Sequence, residues 1–240
     1  TVATLGCALW LLLIGRKWLA GASLSIAIIA WLSATSVPAA RLGVATADVP
    51  VLRLVQMNLL QENRKRAEVV EKALGTAADA ISFQEVDPDW AAALDSALGP
   101  SYPFRRIVAG TNKYGIALYS RLPFEEATIF DLEGRPAIAA DLRTGLGIVR
   151  LLCAHTSSPG SPSSPAERDR QLVHLAERVR STPGRTIVIG DLNAVNWDPA
   201  LLRFAAHTGM GSAPDGPYAT WPTVFGRALF SHKIARLLSR

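Results

Sequence analysis

From residue 51 onward the chain is a succession of short apolar and β-branched runs, broken by a few segments with a helical period. Strands and helices interspersed in this way pack as sheets with helices laid on their outer faces. The strand-like runs are Val51–Met57, Asp79–Gln84, Phe104–Val108, Gly115–Ser120, Glu126–Asp131, Ala137–Leu142, Ile148–Ala154 and Thr186–Ile189, and turns with Gly or Pro separate the middle five. Arg64–Leu74 sets Ala67, Val70, Ala73 and Leu74 on one helical face and stops at Gly75. Pro88 opens a helix to Leu98. Glu167–Arg180 groups Leu172, Leu175, Ala176 and Val179. A last helix runs from Pro199 to about His207, and Ser157–Pro165 reads as a loop. The expectation is a layered α/β or α+β domain with two packed sheets.

Composition matters for what precedes this domain. The 240 residues are 49% hydrophobic and 19% charged. The apolar excess sits in the first fifty residues, whose charges are Arg16, Lys17, Arg41 and Asp48. Trp18–Val37 is an uncharged stretch of 20 residues, about 30 Å as a helix and the thickness of a bilayer core. We read residues 18–37 as a transmembrane helix, and residues 1–15 as a partial one, the tail of an earlier span. Residues 38–50, with Pro38, Gly43 and Pro50, read as a linker, and residues 51–240 as the domain. Arg16 and Lys17 mark the cytoplasmic side, so the domain is expected to be extracytoplasmic at the cell membrane. A cleaved signal peptide is the competing reading.

A net charge of +5 with no dense basic stripe argues against nucleic-acid binding. Arg64-Lys65-Arg66 reads as a solvated helix face, or more sharply as a phosphate-contacting loop. Cys7 and Cys153 suggest neither a disulfide nor a zinc site. No protein partner is predicted.

The run Thr186–Ile189 stops at Gly190-Asp191-Leu192-Asn193. Alternate residues of an extended segment point the same way, so Asp191 and Asn193 are expected to reach one small volume. A turn is the ordinary alternative. Other strand runs end in comparable groups: Asn58, Glu85 and His155. Singly these read as a cap, a surface acid and a core histidine. Together, carboxylates, carboxamides and an imidazole suit a hard divalent cation and a phosphate oxyanion.

This set resembles the endonuclease/exonuclease/phosphatase superfamily, of DNase I-like fold. The resemblance is carried, in order, by Leu54-Val55-Gln56-Met57-Asn58, Ile81-Ser82-Phe83-Gln84-Glu85-Val86, Gly115–Pro123, Ala154-His155-Thr156 and Gly190-Asp191-Leu192-Asn193-Ala194. It implies a four-layer α/β sandwich, with two central mixed or antiparallel sheets flanked by helices. It also implies phosphoester hydrolysis, of a diester or a monoester, with Mg²⁺ or Mn²⁺. Glu85 would ligate the metal, and Asn58 would help hold metal or substrate. His155 would donate to a phosphate oxygen. Asp191 would orient or deprotonate the attacking water, and Asn193 would bind substrate and stabilise the transition state. Trp197 and Trp221 would line the cleft or simply pack.

Thr220-Trp221-Pro222 also resembles the family, but the Asp-His pair and terminal Ser-Asp-His segment that should follow do not. Thr223–Arg240 holds no Asp or Glu, Ser231-His232 is the remnant, and Lys233–Arg240 reads as a basic helix. The domain is therefore expected to be C-terminally incomplete, with its last central strand absent and a sheet edge left open. Two alternatives follow: a catalytically impaired member acting as a binding or scaffold protein, and an extracellular endonuclease. The substrate could be a lipid headgroup, a nucleic acid or a small phosphoester.

Overall fold

The structure is a computed structural model that describes residues 9–10, 13, 15, 17–35, 52–158, 160, 163–195, 198–212, 223–224, 227–228 and 237–238. The partial membrane segment, the linker, Cys7, Trp197, Trp221 and His232 lie wholly or mostly outside the described residues.

Two mixed sheets with helices outside them make an α/β sandwich. The first sheet uses β1 (Leu54–Asn58), β2 (Ala80–Gln84), β3 (Phe104–Val108) and β4 (Ile116–Ser120), in the order β1-β2-β4-β3. The second uses β5 (Phe124–Asp131), β6 (Pro136–Thr144), β7 (Gly147–His155), β8 (Arg185–Asp191) and β9 (Gly211–Ser212). β10 (Thr223–Val224) and β11 (Arg227–Ala228) form a separate antiparallel pair. β12 (Leu237–Leu238) joins the second sheet, whose order is β5-β6-β7-β8-β12-β9. Pairs β1–β2 and β7–β8 are parallel, and the other pairs in these sheets are antiparallel.

Side-chain alternation builds the layers. Ala80, Ile116, Leu118, Ile138, Ala140, Leu151, Cys153 and Ile189 meet between the sheets. Their neighbours Ile81, Phe83, Ala117 and Tyr119 face outward, against Trp90, Leu94 and Leu98 of α3 (Pro88–Leu98). α2 (Arg66–Gly75) adds Ala73 to the same layer. On the other side Leu152, Ala154 and Val188 meet Leu172, Leu175 and Val179 of α4 (Ser164–Ser181), and Leu201 and Phe204 of α5 (Pro199–Thr208). Each such side chain contributes roughly 1.5–3 kcal/mol on burial. An exposed ion pair such as Arg143–Glu125 contributes under about 1 kcal/mol, so the apolar layers hold the fold.

One expectation is corrected. The edge of β8 is not left open: Leu237 pairs with Val188 and Leu238 with Ile187. Those two residues are strand where a basic helix was expected, because β8 and β9 offer free backbone groups on either side of them. The helix α1 (Lys17–Thr35) forms over the expected membrane span. Among the described residues, however, no helix is long and apolar enough to cross a membrane. Within α1, Ser25 Oγ donates back to the Gly21 carbonyl at 3.0 Å.

Arg64-Lys65-Arg66 is a charged face matched by acids. Arg66 pairs with Asp89 at 3.1 Å and Lys65 with Glu68 at 3.6 Å. Cys153 is buried and free, and burial pushes its thiol up to about 12. It stays protonated and is no nucleophile.

Candidate active site

The same alternation that builds the inter-sheet core aims the strand ends. On β1, Leu54, Gln56 and Asn58 share one face, the face on which Leu54 meets the inter-sheet core. On β7, Leu151, Cys153 and His155 do the same, and on β8, Ile187, Ile189 and Asp191. Parallel pairing sets His155 opposite Asp191, and Asn58 opposite Gln84. These groups therefore end at one rim of the gap between the sheets.

Glu85 breaks the alternation. Directly after Gln84 it would point away from the gap, but its φ of 62° re-aims it. Asn58 Nδ2 then donates to Glu85 Oε1 at 2.9 Å and to Asp191 Oδ2 at 3.1 Å. One carboxamide thus bridges carboxylates from both sheets. Asn58 Oδ1 accepts from the Leu60 N–H at 3.0 Å, and Glu85 Oε2 from the Gln61 N–H at 3.1 Å. Gly115 closes against this turn: a Cβ there would lie 1.9 Å from the Val86 carbonyl oxygen.

Asn193 differs from expectation. β8 ends at Asp191, and Asn193 takes φ 45°, so the two are not an extended pair. Asp191 Oδ1 instead accepts the Asn193 N–H at 3.0 Å, an Asx turn. The Asn193 carboxamide donates to the Thr156 carbonyl at 3.0 Å. Asn193 therefore ties the β8 exit to the β7 exit, and its nitrogen faces the loop.

His155 is 1% exposed, and its Nδ1 has no hydrogen-bond partner among the described residues. Burial is the main force lowering its pKa. Asp191 and Glu85 oppose this, Arg135 adds to it, and a hydrogen bond to the Lys113 backbone opposes it. The imidazole is neutral at pH 7. Tyr114 packs on it at 5.4 Å between ring centroids, and the Arg135 guanidinium lies 3.6 Å from the Tyr114 ring centre. Arg135 Nη1 and Thr156 Oγ1 are also buried without partners among the described residues. Sequence reasoning missed Tyr114 and Arg135, which flank the site from loops that carry no periodic signal.

The donor set suits a small hard cation. Among the described residues no three His, Cys, Asp or Glu cluster to hold a metal. Mg²⁺ needs fewer, since it keeps several waters and binds through one or two carboxylates plus substrate oxygens. Glu85 and Asp191, held within hydrogen-bond reach of one Asn58 nitrogen, meet that need. A separate groove of about 740 Å³ lies on the outer layer, lined by Leu172, His174, Arg203, Phe204 and His207. None of the strand-end groups lines it.

A pattern described as Endonuclease/Exonuclease/phosphatase family matches residues 54–232. The chain belongs to that family. Solved structures share the family member's fold at low identity. Sphingomyelinase C from Streptomyces griseocarneus is 16% identical with a TM-score of 0.62, over 79% of this chain and 84% of that one. A β-hairpin deletion mutant of beta toxin from Staphylococcus aureus is 15% identical with a TM-score of 0.60, over 79% and 87%. Humanized D. rerio TDP2 is 19% identical with a TM-score of 0.55, over 63% and 66%. A search of curated protein sequences finds no match.

Proposed function

We propose that this Endonuclease/Exonuclease/phosphatase family member is a divalent-metal-dependent phosphoester hydrolase. The observation that carries the reading is the bridge from Asn58 to Glu85 and Asp191, with His155 beside it. Glu85 would hold Mg²⁺ or Mn²⁺ with Asp191 facing it across the rim and Asn58 helping to hold metal or substrate, and a bound ion would neutralise the phosphoryl oxygens and polarise the ester. One beta toxin structure of this fold contains magnesium ions. Asp191 would orient the attacking water, and His155 would donate to a phosphate oxygen. Asn193 would set the loop between them and contact substrate. A phosphodiester resists attack through its own negative charge, so a cation and aimed donors lower the barrier most.

Hydrolysis of bis(4-nitrophenyl) phosphate by the chain with Mg²⁺, against the Asp191→Ala form, tests this. The intact site is expected to exceed the variant by about a hundredfold or more. Equal rates would sink the hydrolase reading. Mg²⁺ binding that depends on Glu85 without hydrolysis would favour the scaffold reading, which the lack of any acid in Thr223–Arg240 motivates.

The proposal includes anchoring at the cell membrane with the domain outside the cytoplasm. Trp18, Leu19, Leu24, Ile26 and Ile28 on α1 are exposed and apolar, next to Lys17. Co-flotation of the chain with phospholipid vesicles is expected, and recovery in the pellet-free bottom fraction would count against the anchor.

A further inference from the structure

The start of α4 grips the loops that follow His155 and carry Asn193. Gln171 is fully buried. Its Oε1 accepts from the Ser157 N–H at 2.8 Å, two residues beyond His155, and its Nε2 donates to the Leu132 carbonyl at 3.3 Å. One turn earlier, Arg168 Nη1 donates to the Asn193 carbonyl at 3.1 Å. Arg168 Nη2 meets Asp198 Oδ2 at 2.8 Å, and Asp198 caps α5 by accepting the Ala200 N–H at 2.9 Å. Glu167 Oε2 accepts from Ser157 Oγ at 3.2 Å and from Arg135 at 3.4 Å. Residues three and four apart share a helix face, so one face of α4 reaches both loops.

These contacts add to what the loops supply themselves. Asn193 sits at φ 45°, a left-handed conformation that asparagine tolerates and that its Asx turn to Asp191 supports. Arg168 adds a further hold at its carbonyl. The Ser157 N–H follows the end of β7, beyond the reach of the ladder, and Gln171 replaces the missing ladder bond.

We infer that Arg168 and Gln171 are positioning residues for the hydrolysis proposed above, holding the His155 and Asn193 loops in register across the β7 and β8 exits. The inference rests on that reading of the site for its kinetic consequence. Its structural half stands alone. Neither residue touches the reacting atoms, so losing either should act by moving His155 and Asn193, whose contacts are worth more in the transition state than with bound substrate.

The test uses the full chain in detergent with Mg²⁺ and bis(4-nitrophenyl) phosphate. Arg168→Met and Gln171→Leu are compared with Arg168→Lys and with Arg150→Met. The last breaks a two-bond pair with Asp141, in mid-sheet on β7 and β6. In Arg168→Met and Gln171→Leu, kcat is expected to fall about ten- to a hundredfold with KM within about twofold. Arg168→Lys should recover part of that loss. Amide hydrogen exchange should quicken over residues 191–198 in Arg168→Met and over residues 155–158 in Gln171→Leu, with the rest unchanged. Arg150→Met should lower the melting temperature without a selective loss of kcat. Rates for both variants matching Arg150→Met, or exchange unchanged at both loops, would overturn the inference. If the parent chain hydrolyses nothing, the functional reading fails, and the exchange pattern alone decides whether α4 holds the loops.

Discussion

Burial, which lowers the pKa of His155, has a consequence for pH. Its folded pKa lies below the unfolded value of about 6.5. Above that pH both states are neutral and the group is silent. As pH falls through about 6.5 the unfolded chain takes up a proton that the folded chain refuses, so stability declines until pH passes below the folded value. Melting curves between pH 5 and 8, with chelator present, should show a steeper acid-side loss for the parent than for His155→Gln. Parallel curves would contradict the burial argument. The Glu85→Gln form is expected to lose at least tenfold in Mg²⁺ affinity by calorimetry, since it removes one of two carboxylates at the rim. At this scale the strand-end groups Asn58, His155 and Asp191 were legible because period-two alternation aims them. The side chain of Asn193 was not, because a positive φ at one residue reverses its aim. Arg168 and Gln171 left no trace either, since they act on backbone groups 25 and 14 residues away.

Elements meet tightly where β7 and β8 run parallel. A Cβ at Gly190 would lie 1.9 Å from the Ala154 carbonyl oxygen, and its φ of 147° is strained for other residues. Gly190→Ala should destabilise by more than about 2 kcal/mol in denaturant melts and shift Asp191. A cost below about 0.5 kcal/mol would mean the strands can separate there freely. Helix α4 offers a paired contrast. Leu175 is fully buried and Val173 is 59% exposed. Leu175→Ala should cost about 2–5 kcal/mol, and Val173→Ala within about 0.5 kcal/mol. The helices were legible from their apolar faces, with α3 matched from Pro88 to Leu98. β12 was not, because two leucines beside arginines satisfy a helical pattern as well as an extended one. Only the waiting edges of β8 and β9, far off in sequence, make them strand.

Across the whole molecule the chain divides at Arg121–Pro123. The first sheet and α2 and α3 come from residues 54–120, and the second sheet starts at Phe124. Each portion has a helix-facing core of its own, and they share the core between the sheets. Asn58 and Glu85 belong to one portion, and His155, Asp191 and Asn193 to the other. The bond from Asn58 to Asp191 spans 133 residues of sequence. A chain cut between Ser120 and Phe124 would therefore carry half a reaction centre on each piece. Such pieces, expressed separately, would behave as a complementation pair in which turnover reports reassembly, and neither would act alone.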